Sequence, residues 1–184
     1  MAPRVLLDHQ DVARSLTRMA YEIWERNRAS DSIVCIGIMR GGAHLARELA
    51  EHLGALAGRV VPVGALDITL YRDDLSEIAA QPVLKRTDIP FSIKGQRIIL
   101  CDDVIYTGRT VRAALDSVID LGRPRSIELA VLVDRGGREL PIQPNYTGKR
   151  VVVAPDELIE VRLAGSRDEH HVMVAKEPDD ATAQ

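Results

Sequence analysis

The sequence is poor in cysteine and in long apolar runs, and each shortage excludes a class of protein. Only Cys35 and Cys101 occur among the 184 residues, each inside an apolar segment. This excludes a disulfide-stabilised scaffold and favours buried thiols in a reducing compartment. No run of about 18 apolar residues is present, so neither a membrane-spanning helix nor a membrane partner is expected. Residues 1–10 lack the apolar region of a signal peptide, and we therefore expect a cytoplasmic protein.

The net charge and the histidine content give no indication of a nucleic-acid-binding or metal-binding protein. The net charge is −3, so bulk charge gives no indication of nucleic-acid binding. The five histidines are scattered along the chain, which argues against a metal site held by protein side chains. Apolar residues make up 46% and charged residues 28%, as in an ordinary globular enzyme. We expect one domain spanning residues 1–184.

One segment, residues 98–110, carries the clearest functional pattern. It opens with an apolar run typical of a buried parallel strand and continues into two adjacent carboxylates, Asp102 and Asp103. Thr107–Thr110 then form a small polar loop, and a helical pattern follows over 111–121. An alternative is that the carboxylates only cap a turn before an ordinary helix. The order of strand, acidic pair and loop instead favours a ligand site at a strand end.

The residue types in this segment define the ligand. Loop amides and a helix N-terminus bind phosphate. Carboxylates repel phosphate, so Asp102 and Asp103 must face hydroxyl groups or a metal ion. A ribose 5-phosphate satisfies both demands.

The same residues resemble the 5-phosphoribosyl-1-pyrophosphate (PRPP) signature of the type I phosphoribosyltransferases. The resemblance implies that Asp102 and Asp103 hold the ribose 2- and 3-hydroxyls and that Tyr106–Thr110 hold the 5-phosphate. Mg²⁺ would be the cofactor, carried by PRPP near the two carboxylates and not held directly by the protein.

Strand and helix patterns alternate along the chain, which predicts a parallel sheet flanked by helices. The predicted helices cover 9–28, with Asp8 as N-cap, 43–53 and 111–121; the predicted strands cover 32–39, 60–67, 96–101 and 127–133. Beyond Asp134 the chain becomes loop-rich, with short strand patterns at 150–153, 158–163 and 170–175. We expect a core over about 28–135, a small hood formed by the N-terminal segment and about 136–176, and a tail at 177–184.

Two further segments are predicted to border the PRPP site. Arg40 and Gly41 follow the first core strand, at the sheet edge that also carries the carboxylates. Glycine allows a ligand to approach the backbone closely, and arginine supplies a forked cation, so this turn is expected to bind pyrophosphate. The alternative is a plain strand-to-helix turn. The long polar stretch at 71–92 is predicted to be either a flexible flap over PRPP or a disordered loop.

The candidate site residues form two sets. Asp102, Asp103 and Arg40 are the predicted catalytic residues. The predicted substrate-binding residues are Arg40, Gly41, Asp102, Asp103, Val104, Tyr106, Thr107, Gly108, Arg109, Thr110 and Arg135.

Four stretches indicate one family within this class: residues 65–75, 107–112, 121–124 and 130–142. Together they resemble the bifunctional pyrimidine operon regulator / uracil phosphoribosyltransferase family (PyrR). The resemblance implies conversion of uracil and PRPP to UMP and pyrophosphate, and UMP-responsive binding of pyrimidine operon leader mRNA that attenuates transcription. It also implies a homodimer or homotetramer, and a uracil pocket near 133–138. Two alternatives stay open: a phosphoribosyltransferase for hypoxanthine, guanine or orotate, and an RNA-binding regulator that senses UMP or PRPP with little catalysis.

RNA binding requires cations gathered on one face. The candidate RNA contacts are Arg14, Thr17, Arg18, Tyr21, Arg26, Arg138 and Lys149. Tyr21 offers a ring on which an unpaired base can stack. The alternative for the helix arginines is a solvated face of ion pairs at helical spacing. Gly137 and Gln143 stand where family members usually have histidine and a basic residue, which lowers the positive charge expected on this face.

Overall fold

A five-stranded parallel sheet forms the centre of the computed structural model, which describes residues 4–27, 32–69 and 87–176. Its strands are Ile33–Ile38 (β2), Val63–Leu66 (β3), Arg97–Ile105 (β4), Ser126–Asp134 (β5) and Tyr146–Arg150 (β6). The spatial order is β3-β2-β4-β5-β6, and every neighbouring pair is parallel. The predicted α/β class is confirmed.

The central strands are apolar on both faces because helices cover both sides of the sheet. Along β2, Cys35 joins one buried cluster and Ile36 the opposite one, as the twofold repeat of a strand requires. Helices α1 (His9–Asn27) and α2 (Gly41–Ala57) pack on the first side. Helix α3 (Arg109–Leu121) packs on the second.

Helix α1 begins where the sequence predicts. The Asp8 carboxylate accepts a hydrogen bond from the Asp11 backbone N–H at 2.8 Å, which satisfies one of the donors that a helix start leaves unpaired. The apolar stripe of the helix, including Val12, Met19 and Ile23, is fully buried.

A second, antiparallel sheet lies within the segments for which a hood is predicted, and we call this sheet the hood. It consists of Arg4–Leu7 (β1), Glu157–Arg162 (β7) and His171–Lys176 (β8), in the order β1-β8-β7. Arg167, in a short 3-10 turn before β8, donates hydrogen bonds to Glu48 and Glu51 at 3.0 and 2.5 Å. These bonds connect the hood to α2.

Three local predictions differ from the structure. Residues 146–150, assigned by sequence to the hood, form the edge strand β6 of the large sheet. Strand β4 runs to Ile105, beyond its predicted end at Cys101, because pairing with β5 continues through the two carboxylates. The two adjacent histidines at 170–171 indicate by sequence a solvated strand end or turn, and this prediction is wrong for His170, whose side chain is buried.

Most of the predicted flap at 71–92 and all of the predicted tail at 177–184 lie outside the described residues. The described end of the flap segment lies beside β3. Asp88 pairs with Ala65 in an antiparallel bridge, and Thr87 Oγ1 accepts a hydrogen bond from the Asp67 N–H at 3.1 Å. Within the described ranges, no helix combines the length and apolar character needed to cross a membrane.

Candidate active site

The carboxyl ends of β2 and β4 bring two predicted site segments together. These strands are neighbours in parallel register, with Gly37 opposite Cys101. The turn after β2, which includes the exposed Arg40, therefore meets the end of β4. A Cβ atom on Gly41 would overlap the Asp103 carboxylate, and one on Gly42 would overlap the Cys101 carbonyl oxygen. Only glycine permits this approach.

The two carboxylates differ in their surroundings. Asp102 is buried and its Oδ1 accepts a hydrogen bond from the Asp103 N–H at 3.1 Å. Asp103 is less enclosed and its Oδ1 accepts one from the Val104 N–H at 2.9 Å. Burial raises the pKa of the Asp103 carboxyl, and the hydrogen bond from Val104 partly offsets this rise. The ionised form of Asp103 is thus disfavoured by the fold itself, which is typical of a functional carboxylate.

The predicted phosphate loop joins β4 to α3. Gly108 is the N-cap of α3 and has a φ of 93°, a conformation that L side chains rarely adopt. Thr107 Oγ1 accepts a hydrogen bond from the Arg109 N–H at 3.3 Å. The first-turn amides of α3, including that of Thr110, have no acceptor within the helix. Together with the helix dipole, they provide donors for an anion.

A second loop, residues 135–142, lies against the phosphate loop. The N–H groups of Glu139 and Leu140 donate to the Thr107 carbonyl oxygen at 3.0 and 3.1 Å. The Arg135 guanidinium lies 4.0 Å from the centroid of the Tyr106 ring, within cation–π distance. The predicted substrate residues Tyr106 and Arg135 therefore interact directly, and they help to shape the loop.

Arg138 has an internal role that sequence reasoning missed. Its guanidinium donates to the carbonyl oxygens of Tyr106 and Ile142 at 2.8 and 2.9 Å and to Asp134 Oδ1 at 2.7 Å. The Arg138 and Asp134 side chains are only 12% and 8% exposed. The prediction of Arg138 as an RNA contact is therefore corrected: its donors are used to connect the two loops.

Replacing Arg138 with methionine is expected to lower the free energy of unfolding by about 2–4 kcal/mol, because the buried Asp134 carboxylate loses its close partner. Chemical denaturation measures the effect. Arg14→Met is the matched control, since Arg14 is 67% exposed and its pair with Asp11 should contribute under about 1 kcal/mol. Equal effects of the two substitutions would contradict the structural role of Arg138.

Two cavities border the carboxylate pair and its loops. One, of about 330 Å³, lies between the turn after β2 and the hood and is lined by Arg40, Gly41, His44, Asp103 and residues 160–164. The other, of about 320 Å³, is lined by Asp134, Gly136, Gln143, Arg150, Val151 and Val152. The second overlaps the segment predicted to hold uracil.

His44 and Glu160 are cavity-lining residues that the sequence analysis missed. His44 follows Arg40 by one helical turn, and this spacing was the only available signal for it. Glu160 comes from the hood, so nothing local in the sequence connects it with Arg40.

Four of the five predicted RNA residues of α1 share one exposed face. We call Arg14, Thr17, Arg18 and Tyr21 the α1 face; Tyr21 is 57% exposed. Arg14 pairs with Asp11 at 2.6 Å, and Arg18 pairs with Glu22 at 2.7 Å.

Strand β6 extends the α1 face. Arg18 also donates to the carbonyl oxygens of Thr147 and Gly148 at 3.0 and 2.6 Å. The neighbouring Lys149 donates to the Leu6 carbonyl oxygen at 3.1 Å. Arg26 lies farther along α1, 3.8 Å from Glu128.

Comparison with known proteins identifies the class. Residues 5–159 match the phosphoribosyl transferase domain family, and the chain belongs to it. A hypoxanthine-guanine phosphoribosyltransferase from Bacillus anthracis has a similar structure, with a TM-score of 0.69 at 20% identity, covering 92% of this chain and 96% of that one. The hypoxanthine phosphoribosyltransferase of Trypanosoma cruzi gives 0.71 at 17%, covering 94% and 96%. These likenesses concern the fold.

Sequence similarity places the chain within this class. A bifunctional protein PyrR from Pelotomaculum thermopropionicum is 54% identical over 169 residues, covering 92% of this chain and 93% of that protein. Another, from Deinococcus radiodurans, is 54% identical over 163 residues, covering 88% and 89%. The chain belongs to the PyrR family, which confirms the family predicted from its motifs.

Proposed function

We propose that this chain transfers the phosphoribosyl group of PRPP to uracil, forming UMP and pyrophosphate, and binds pyrimidine operon leader mRNA in response to UMP. One observation carries the catalytic part: Asp102 and Asp103 lie between the α3 phosphate loop and the Arg40 turn at a single sheet edge. Conversion of labelled uracil to UMP in the presence of PRPP tests it.

The residues suit a reaction in which the bond from C1 of the ribose to pyrophosphate breaks as the bond to uracil N1 forms. The electron pair of the broken bond leaves with pyrophosphate, positive charge develops on the sugar ring, and the N1 proton of uracil passes to the departing pyrophosphate or to water. Asp102 and Asp103, placed to hold the ribose hydroxyls, favour that charge. Arg40 offsets the negative charge of the leaving group, and the α3 N-terminus fixes the 5-phosphate, so catalysis rests mainly on orientation and electrostatics.

Mg²⁺ fits this arrangement as an ion carried in by PRPP. Hard carboxylate oxygens from Asp102 and Asp103 lie beside the expected ribose hydroxyls, and Mg²⁺ favours oxygen ligands combined with substrate phosphates. When bound, the ion would neutralise charge on the pyrophosphate. Within the described ranges, no group of three His, Cys, Asp or Glu side chains is placed to hold a metal ion by itself.

The uracil pocket is proposed in the cavity beside Asp134. Its walls combine Asp134, Gly136 and Gln143 with apolar contacts from Val151 and Val152. The Val151 N–H donates to the Asp134 carbonyl oxygen at 2.9 Å, which positions this segment next to the end of β5. A small planar base suits such a site, where polar groups can read its edges.

The α1 face, extended by Lys149, is the proposed RNA surface. It concentrates cations on one side of a chain whose net charge is −3. The arginines of this face already form ion pairs within the protein. The exposed Tyr21 ring is therefore expected to contribute by stacking on an unpaired base. The predicted homodimer or homotetramer would present this surface more than once, and light scattering measures that assembly.

The double substitution Arg14→Ala and Tyr21→Ala is expected to weaken leader-RNA binding by about tenfold or more, since base stacking alone contributes about 1–3 kcal/mol. It should also reduce the salt dependence of binding, because one phosphate contact is lost. Filter binding at several salt concentrations measures both.

Arg123→Ala is the matched control, because Arg123 is exposed at the end of α3 on the opposite side of the sheet. UMP synthesis by the double variant should equal that of the wild type. Unchanged RNA affinity in the double variant would rule out the α1 face.

A further inference from the structure

One histidine in the cleft has no role in the chemistry described above. His44 lies in the first turns of α2, is half-buried, and lines the 330 Å³ cavity together with Arg40, Gly41 and Asp103. The opposite wall is formed by the hood, from Glu160 to Ala164. His44 therefore faces the space that the Arg40 turn was predicted to offer to pyrophosphate.

The charges around this cavity define what it can bind. Arg40 and Arg162 contribute positive charge, while Asp103 and Glu160 contribute negative charge. His44 is close enough to Asp103 for its positive charge to lower the pKa of that carboxyl, opposing the rise caused by burial. The N-terminus of α2 adds backbone donors and a favourable dipole.

We infer that His44 is a binding residue for the pyrophosphate group of PRPP, donating a hydrogen bond from its imidazole to a pyrophosphate oxygen beside Arg40. This inference rests on the proposed function. A strongly anionic group placed next to Asp103 and Glu160 needs more hydrogen-bond donors than the two exposed arginines, Arg40 and Arg162, supply. An imidazole in the first turns of the same helix supplies one without closing the cleft.

The test compares ligands that differ in the pyrophosphate group. Titration calorimetry with Mg²⁺ present measures the affinities for PRPP, inorganic pyrophosphate and UMP. His44→Ala should weaken PRPP and pyrophosphate by about tenfold, the typical effect of losing a hydrogen bond to a charged group. UMP carries no pyrophosphate, so its affinity should stay unchanged.

Two further variants separate a direct contact from a structural effect. His52→Ala changes a histidine two turns along the same helix, outside the residues that line the cavity, and should leave all three affinities unchanged. His44→Gln keeps a side-chain donor and should recover part of the lost affinity.

The outcomes distinguish this inference from the proposed function. The inference would be overturned if His44→Ala lost as much affinity for UMP as for pyrophosphate, or if it bound pyrophosphate as well as the wild type does. A wild type that binds no pyrophosphate would also overturn it. A wild type that forms no UMP but loses pyrophosphate affinity on His44→Ala would overturn the proposed function and leave the inference standing.

Discussion

Replacing Asp103 with asparagine is expected to lower the rate of UMP formation by about a hundredfold or more without lowering the stability of the fold. Removing one group that stabilises transition-state charge typically lowers the turnover rate by about 10²–10³. Asparagine keeps the shape of the side chain and removes only its charge. Steady-state kinetics and thermal unfolding of the same preparations measure the two effects.

The stability part follows from the raised pKa of Asp103. The folded state binds the proton more tightly than the unfolded chain, so this group favours folding below its unfolded pKa. That contribution is lost as the pH rises through the folded pKa. The ionised carboxylate therefore destabilises the folded state at neutral pH, and asparagine should leave the melting temperature unchanged or slightly higher. Asp103→Asn should also remove this part of the pH dependence.

Asp116→Asn is the matched control for the kinetic effect. Asp116 lies on the exposed side of α3, 3.1 Å from Arg112, and both side chains are about half exposed. Its substitution should change neither rate nor stability by a measurable amount. An Asp103→Asn protein with near-wild-type turnover would remove Asp103 from the catalytic set.

The same substitution at two adjacent glycines is expected to affect different properties, stability at one and catalysis at the other. Gly42→Ala should lower the free energy of unfolding by about 2–3 kcal/mol, because the new methyl group would overlap the Cys101 carbonyl oxygen and backbone cannot easily move. Gly41→Ala should mainly reduce UMP formation, because its methyl group would overlap the Asp103 carboxylate and lie 2.9 Å from the Asp103 Cβ, so the Asp103 side chain must shift from its functional position.

Denaturation and kinetics on both variants test this contrast. Gly58→Ala serves as the control, since the added methyl group there meets no atom within 4 Å. Only the strain of a φ of 65° remains, which should lower stability by about 1 kcal/mol. Loss of stability in Gly41→Ala equal to that in Gly42→Ala would mean that the Asp103 side chain does not yield as expected.

The sequence was most informative where the chemistry is contiguous along the chain. Asp102, Asp103 and the Thr107–Thr110 loop follow one another, so a short motif was enough to predict them. The approach of Gly41 to Asp103 was also foreseeable, because parallel strands end at a common edge.

Prediction was weaker where side-chain direction depends on tertiary packing. Arg138 belongs to an exposed-looking polar loop, yet it turns inward because the buried Asp134 carboxylate requires a partner. Strand β6 contains Gly148 and follows two prolines, so its composition resembled a loop, although it pairs in parallel with β5 at the edge of the sheet. Strand β4 was predicted to end before its carboxylates, since aspartate is uncommon in strands.

Pyrophosphate release from PRPP with Mg²⁺, compared for uracil, orotate, hypoxanthine and guanine, is a direct test of the proposed enzymatic function. The site described above predicts release with uracil alone. Release with another base would contradict the proposed acceptor. No release with any base, from protein that still binds PRPP or UMP, would contradict the enzymatic function and indicate an RNA-binding regulator that senses these ligands without turnover.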